Sequence, residues 1–268
     1  MRIVFSGSIA YDYLMTFPGY FRDHIIPESL DSLSLSFLTD SMTRQQGGTA
    51  ANGAYNYALL RGKATVLGTV GHDFDKYRAH LASVGVDTNE IVEIADEFTA
   101  SFFANTDLSN AQIASFYPGA MAHAAQLKLS DLPFTPDLVV ISPDDPGAMC
   151  ARVRECHELN IPYLYDPSQQ IVVMEPDDLH MGVVGAHMIL LNAYEFSLVQ
   201  RKLGLDEQRI TDNCAVLGIT RGEHGAVILA EGDRHDIPAV APNELLDPTG
   251  AGDAFRAGFL RGMDLDLS

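Results

Sequence analysis

Short apolar runs recur along the chain at residues 3–5, 64–67, 138–141, 163–165, 188–191 and 216–219. Each is too short for a helix and rich in Val, Ile, Leu or Tyr, so each reads as a buried strand. Between them, residues 50–60, 74–84, 147–159 and 193–203 place apolar side chains at intervals of three and four, which predicts amphipathic helices. Their starts carry capping signals: Asp73 and Asn192 suit N-cap positions, and Pro146 suits a first helical position. Strands alternating with helices predict a mainly parallel sheet covered on both faces.

Two stretches break this rhythm. Residues 11–46 are rich in Ser, Phe and Tyr without a helical period. Residues 98–117 alternate on either side of a turn expected at 107–110, which predicts a β-hairpin inserted into the α/β body. Together the two excursions predict a small sheet covering a cleft, a lid on a single domain spanning residues 1–268.

Composition narrows the partners. The 268 residues are 47% hydrophobic, enough for one well-buried core. The net charge of -19 repels phosphate backbones, so neither nucleic acid nor an anionic membrane is an expected partner. An anionic substrate such as ATP needs a local positive field from backbone amides or Mg²⁺. Cys150, Cys156 and Cys214 lack the number and spacing of a disulfide framework or a zinc site. No signal peptide is read at the N-terminus, and no apolar run reaches the ~18 residues of a membrane helix. A cytoplasmic location is expected.

The richest segment chemically is D-P-T-G-A-G-D-A-F-R-A-G-F at 247–259. Gly250, Ala251 and Gly252 are small, so the backbone can approach a ligand closely. A helical pattern starts immediately afterwards, and amides at a helix start, with the helix dipole behind them, make an anion hole. Asp253 then stands in the first turn beside that hole. Phosphoryl transfer needs alignment, charge neutralisation and a carboxylate to accept the hydroxyl proton. No G-x-x-x-x-G-K-[ST], dinucleotide fingerprint or G-x-S-x-G elbow competes with this reading.

Residues 247–260 resemble the C-terminal signature of the ribokinase-like (PfkB) carbohydrate and nucleoside kinases, and four further segments match in the family's order. G-S-I-A-Y-D at 7–12 resembles the strand-end motif whose aspartate holds sugar hydroxyls, a role that falls to Asp12. G-G-T-A-A-N at 47–52 resembles the first signature, giving Gly47, Gly48 and Asn52 to the substrate; Lys76 departs from that signature, where a glycine is common. N-A-Y-E at 192–195 resembles the motif that orders Mg²⁺, its waters and phosphate. The same spacing is a helix capping box, and both roles fit Asn192 and Glu195. T-R-G-E-H-G at 220–225 resembles the motif whose Thr and Gly touch nucleotide phosphates, which gives Thr220, Gly222 and Gly225; a plain hairpin turn is the other reading.

The resemblance implies a three-layer α/β sandwich with a mainly parallel central sheet and a small β-sheet lid. It implies an ATP- and Mg²⁺-dependent kinase with Asp253 as base, acting as a monomer or homodimer on a nucleoside or sugar. A monovalent cation such as K⁺ is also implied, with Asp247 and Thr249 as contributors. Family members continue further at the C-terminus through helices that complete the adenine pocket, so either this sequence is truncated or only partly given, or nucleotide binding is impaired as it stands. Residues 105–121 and D-P-S-Q-Q at 166–170 resemble the adenosine-kinase-like branch. Phe102, Phe103, Phe116 and Tyr117 offer flat surface for a base, although strand alternation allows only some of them to face a cleft. A ribokinase- or fructokinase-type sugar kinase is the alternative, and a non-catalytic nucleoside- or sugar-binding protein is the contrasting class.

Overall fold

A computed structural model of the protein describes residues 1–26, 34–242, 244 and 249–267. Among the described residues thirteen strands form two sheets. The large one has the order β13-β12-β11-β10-β9-β8-β1-β4-β5, with β1 Arg2–Ser6, β4 Lys63–Gly71, β5 Ile91–Ile94, β8 Leu138–Ile141, β9 Tyr163–Tyr165, β10 Met188–Asn192, β11 Val216–Thr220, β12 Ala226–Ala230 and β13 Asp233–Ile237. Every pairing from β11 to β5 is parallel, and the two at the β12–β13 edge are antiparallel.

The central strands are buried on both faces, as the unbroken apolar runs require. Alternation sorts them between two cores. Ile3, Phe5, Leu138, Val140 and Leu190 pack with α1 (Thr49–Leu59), α2 (Asp75–Ser83) and α7 (Ala251–Asp264). Val4, Val139, Ile141, Ile189 and Leu191 pack on the opposite face with α3 (Pro146–Leu159), α4 (Pro176–Val183), α5 (Ala193–Leu203) and α6 (Glu207–Thr211). The result is the expected sandwich.

The second sheet has the order β3-β2-β6-β7 and gathers both excursions: β2 Ala10–Thr16, β3 Ser41–Gly47, β6 Ala100–Thr106 and β7 Gln112–Tyr117. Its hairpin turn is built on Asp107. Oδ1 of that side chain accepts from the Ser109 and Ala111 amides, and Oδ2 accepts from the Phe21 amide. Against the upward push of burial, the Ser109 hydroxyl, which also donates to Oδ1, and these amides hold its carboxyl well below the usual range, to about 2.

Two capping expectations hold. Asn192 caps α5 in a full capping box with Glu195, and Pro146 opens α3 behind the Asp145 cap. The expectation for Asp73 fails. It does not cap α2, because its Oδ1 accepts from the amide and hydroxyl of Thr99, and Phe74 takes the cap position without a side-chain bond.

Candidate active site

The carboxyl ends of the parallel strands set out one crevice rim. There β1 runs into Gly7 and Ser8, β9 into Asp166, and β10 and β11 end side by side with Asn192 paired to Thr220. Open α/β sheets bind ligands at this edge.

Gly48 links β3 to α1 with φ 93, and a Cβ there would lie 2.5 Å from the Ser8 carbonyl. Only a glycine lets the loop fold this closely over the end of β1. Ser8 Oγ accepts from the Thr49 amide at 3.1 Å, which fixes the start of α1. Gly47 has a different neighbour: a Cβ there would meet Asp12 Oδ2 at 2.5 Å. Asp12 lies within β2, not at a strand end as its motif implied, and is paired with Gln45 and Phe102. Burial raises its carboxyl above the ordinary value.

Asn52, one turn into α1, donates its side-chain amide to Asp253 Oδ2 at 3.0 Å. Asp253 sits in the first turn of α7 behind Gly250, which takes the left-handed conformation with φ 77. Its carboxyl is buried while Ala251 and Gly252 are exposed. The first N–H groups of a helix have no intrahelical acceptor, so exposed amides flank the carboxylate. Burial raises the Asp253 carboxyl above the usual value, against the opposing pull of Arg256 and Asn52. The buried Tyr77 hydroxyl donates to the Gly47 carbonyl at 2.9 Å. Its own pKa is raised by burial first, and then by the neighbouring Tyr11, Asp12 and Asp253.

Beside Asp253 the chain carries a group that sequence reasoning missed. Arg256 Nη1 donates to Asp253 Oδ1 at 3.0 Å. Its Nε lies 2.8 Å from Asp166 Oδ2 but lacks hydrogen-bond alignment, so both oxygens of the fully buried Asp166 are without an aligned donor. Burial pushes the Asp166 carboxyl up to about 7 despite Arg256. Glu195 and Asp253 both add to that rise, which puts Glu195 in the same electrostatic cluster. Glu195 is itself buried, with Oε1 accepting from Ser168 and Oε2 from the Asn192 amide. The signals available were Arg256 three residues after Asp253, and Asp166 at the end of an apolar run.

Thr220 ends β11, and Gly222 and Gly225 shape the turn into β12. A side chain at Gly222 would meet open space, whereas one at Gly225 would strike the Ile237 carbonyl at 1.9 Å. Close approach to the end of β13, at positive φ, therefore accounts for Gly225 unaided. Asp247 lies outside the described residues, and Thr249 directly precedes Gly250.

Register sorts the aromatic residues of the small sheet. Phe102 pairs with both Asp12 and Phe116, so these three share a face. Phe103 and Tyr117 lie on the other face. There Phe103 stacks on Tyr13 with centroids 4.8 Å apart, and the Tyr117 hydroxyl donates to Glu97.

Comparison with known proteins agrees with this fold. Residues 15–268 match the family described as pfkB family carbohydrate kinase. A nucleoside kinase of Methanothermobacter thermautotrophicus is 30% identical over 97% of this chain and 82% of that protein. One from Methanocaldococcus jannaschii is 27% identical over 99% and 85%. The structure of Burkholderia thailandensis nucleoside kinase in complex with inosine superposes with a TM-score of 0.88 at 34% identity, covering 100% of this chain and 86% of that one. The same enzyme in complex with ADP-inosine gives 0.83 at 37% identity, over 98% and 82%. With the family match running through both glycine-rich loops and Asp253, the chain belongs to the pfkB family of carbohydrate kinases.

Proposed function

We propose that this kinase transfers the γ-phosphate of ATP to the hydroxymethyl group of a nucleoside, with Asp253 as general base. The observation that carries the reading is a buried carboxylate at a helix start, hydrogen-bonded to Asn52 and next to the exposed residues Ala251 and Gly252, whose amides have no intrahelical acceptor. In the reaction the acceptor hydroxyl gives its proton to Asp253 Oδ2 while its oxygen bonds to the γ-phosphorus. The bond from that phosphorus to the bridging oxygen breaks, and ADP leaves with the electron pair. Charge on the transferring group faces the amides at Gly250, Ala251 and Gly252.

The ribose is assigned to Asp12, Gly47, Gly48 and Asn52. Asn52 offers both a donor and an acceptor to vicinal hydroxyls. The small sheet acts as the lid, and Phe102 and Phe116, on the face of Asp12, supply the surface for the base. Closure would exclude water and limit ATP hydrolysis. The nucleotide is assigned to Asn192, Thr220 and Gly222.

Carboxylate and amide oxygens at Glu195 and Asn192 suit a hard cation. Among the described residues no group of three or more His, Cys, Asp or Glu can hold a metal ion. A cation here would therefore lean on water and ATP phosphates, as Mg²⁺ does, with Glu195 reaching it through water. Bound Mg²⁺ would neutralise the β- and γ-phosphate oxygens. Among the described residues no helix is long and apolar enough to cross a membrane, and three free cysteines suit a reducing cytoplasm.

The inosine complex of the relative and the paired phenylalanines favour a purine nucleoside such as adenosine or inosine. Stacking a base on an aromatic ring is worth about 1–3 kcal/mol, so a nucleoside should exceed free ribose in kcat/KM by about 5-fold or more. ATP-coupled turnover with adenosine, inosine, cytidine, ribose and fructose tests this. Preference for a free sugar would refute the nucleoside assignment.

A further inference from the structure

We infer that Arg256 is a positioning residue for this reaction, tying the base Asp253 to the buried Asp166 and leaving Oδ2 as the oxygen that meets the acceptor. The inference rests on the kinase reading above. Arg256 lies one turn beyond Asp253 on α7, with a side chain only 14% exposed. Its guanidinium is planar, so donors on Nη1 and Nε leave at fixed angles to each other. One reaches Asp253 Oδ1 at 3.0 Å and the other lies 2.8 Å from Asp166 Oδ2.

Asp166 is a rigid anchor. It is 0% exposed and follows β9 directly, with its amide bonded to the Ile141 carbonyl at 2.9 Å. The chain of contacts therefore runs from the central sheet through Asp166 and Arg256 to Asp253. With Oδ1 held by Arg256, rotation of the base is restricted and Oδ2 stays on the side of Asn52. Gly252 belongs to the same arrangement, since a Cβ there would lie 3.2 Å from Arg256 Nη1 and press on the guanidinium. Misplacing a reacting group by about 1 Å costs on the order of 10²-fold in rate.

A purely structural alternative is that Arg256 only neutralises a buried carboxylate, whose removal from its partner is strongly destabilising. The test compares the wild type with Arg256→Met, Asp166→Asn, the double variant and Arg256→Lys, measuring Tm, kcat and nucleoside KM. The double variant leaves no uncompensated charge at position 166, so it stays informative even where Arg256→Met fails to fold. The expected result is a double variant that folds with a higher Tm than Arg256→Met, though below the wild type because Asp253 also loses its cation, and with nucleoside KM within about 3-fold of the wild type. Its kcat should lie about 10-fold or more below that of Asp166→Asn alone, and Arg256→Lys should recover part of the lost kcat. Equal kcat in the double variant and Asp166→Asn would overturn the positioning role. A wild type that makes no ADP with any hydroxyl acceptor would instead remove the kinase reading itself.

Discussion

Asn52 and Asp253 meet across 3.0 Å although 201 positions separate them, one on α1 and the other on α7. The bond couples the proposed ribose site to the proposed base, because Asn52 bonds the same oxygen that would receive the proton. A hydrogen bond to a charged group is worth about 1.5–3 kcal/mol. Asn52→Ala is expected to raise nucleoside KM by about 10-fold or more and to lower Tm by a few degrees, because the buried Asp253 loses a donor. Steady-state kinetics and a melting curve check this, and an unchanged KM removes Asn52 from the substrate site.

The two glycines ahead of α1 should respond differently. At Gly47 an added methyl group meets a movable carboxylate, that of Asp12, whereas at Gly48 it meets backbone of Ser8 and Ala10 at positive φ. Gly47→Ala is expected to raise nucleoside KM, as Asp12→Ala should, at nearly unchanged Tm. Gly48→Ala should cost about 2 kcal/mol or more of stability, since strain and steric overlap add. Equal melting temperatures for the two variants would contradict this division.

Much of this arrangement was legible because the apolar periodicities are strong. Unbroken runs marked the central strands, and the alternating excursions marked the small sheet. One strand that the sequence did not reveal has a physical reason. Asp233–Ile237 is an exposed edge strand made mostly of charged residues, so it carries no apolar pattern. Asp73 offered a cap by spacing, but tertiary contact with Thr99 claimed its carboxylate. The glycine loops and Asp253 were readable as a local motif. The Arg256–Asp166 link joins α7 to the end of β9, so no local pattern predicts it.

Glu195 both completes a capping box and belongs to the proposed metal side. Glu195→Gln separates the two, since glutamine also serves in capping boxes but lacks the charge a hard cation requires. The expected outcome is a Tm close to wild type with a raised Mg²⁺ concentration for half-maximal rate. An unchanged Mg²⁺ dependence would leave Glu195 with capping alone.

Asp144, at the carboxyl end of β8, is buried and its carboxyl is pushed up to about 7. A carboxyl with a folded pKa above its unfolded value near 4 stabilises the fold below that value. The contribution is lost as pH rises through about 7. Asp144→Asn imitates the protonated form. The difference in Tm, variant minus wild type, should therefore grow by a few degrees between pH 5 and pH 8.5. A difference that is flat or falling with pH would contradict the burial effect.

The most direct test is the rate of ADP formation with a purine nucleoside and Mg²⁺–ATP, comparing the wild type with Asp253→Asn. The account predicts that kcat falls about 10²–10⁴-fold while nucleoside KM changes little, because the asparagine keeps the shape but accepts no proton. A variant that retains near-normal kcat would show that Asp253 is not the base.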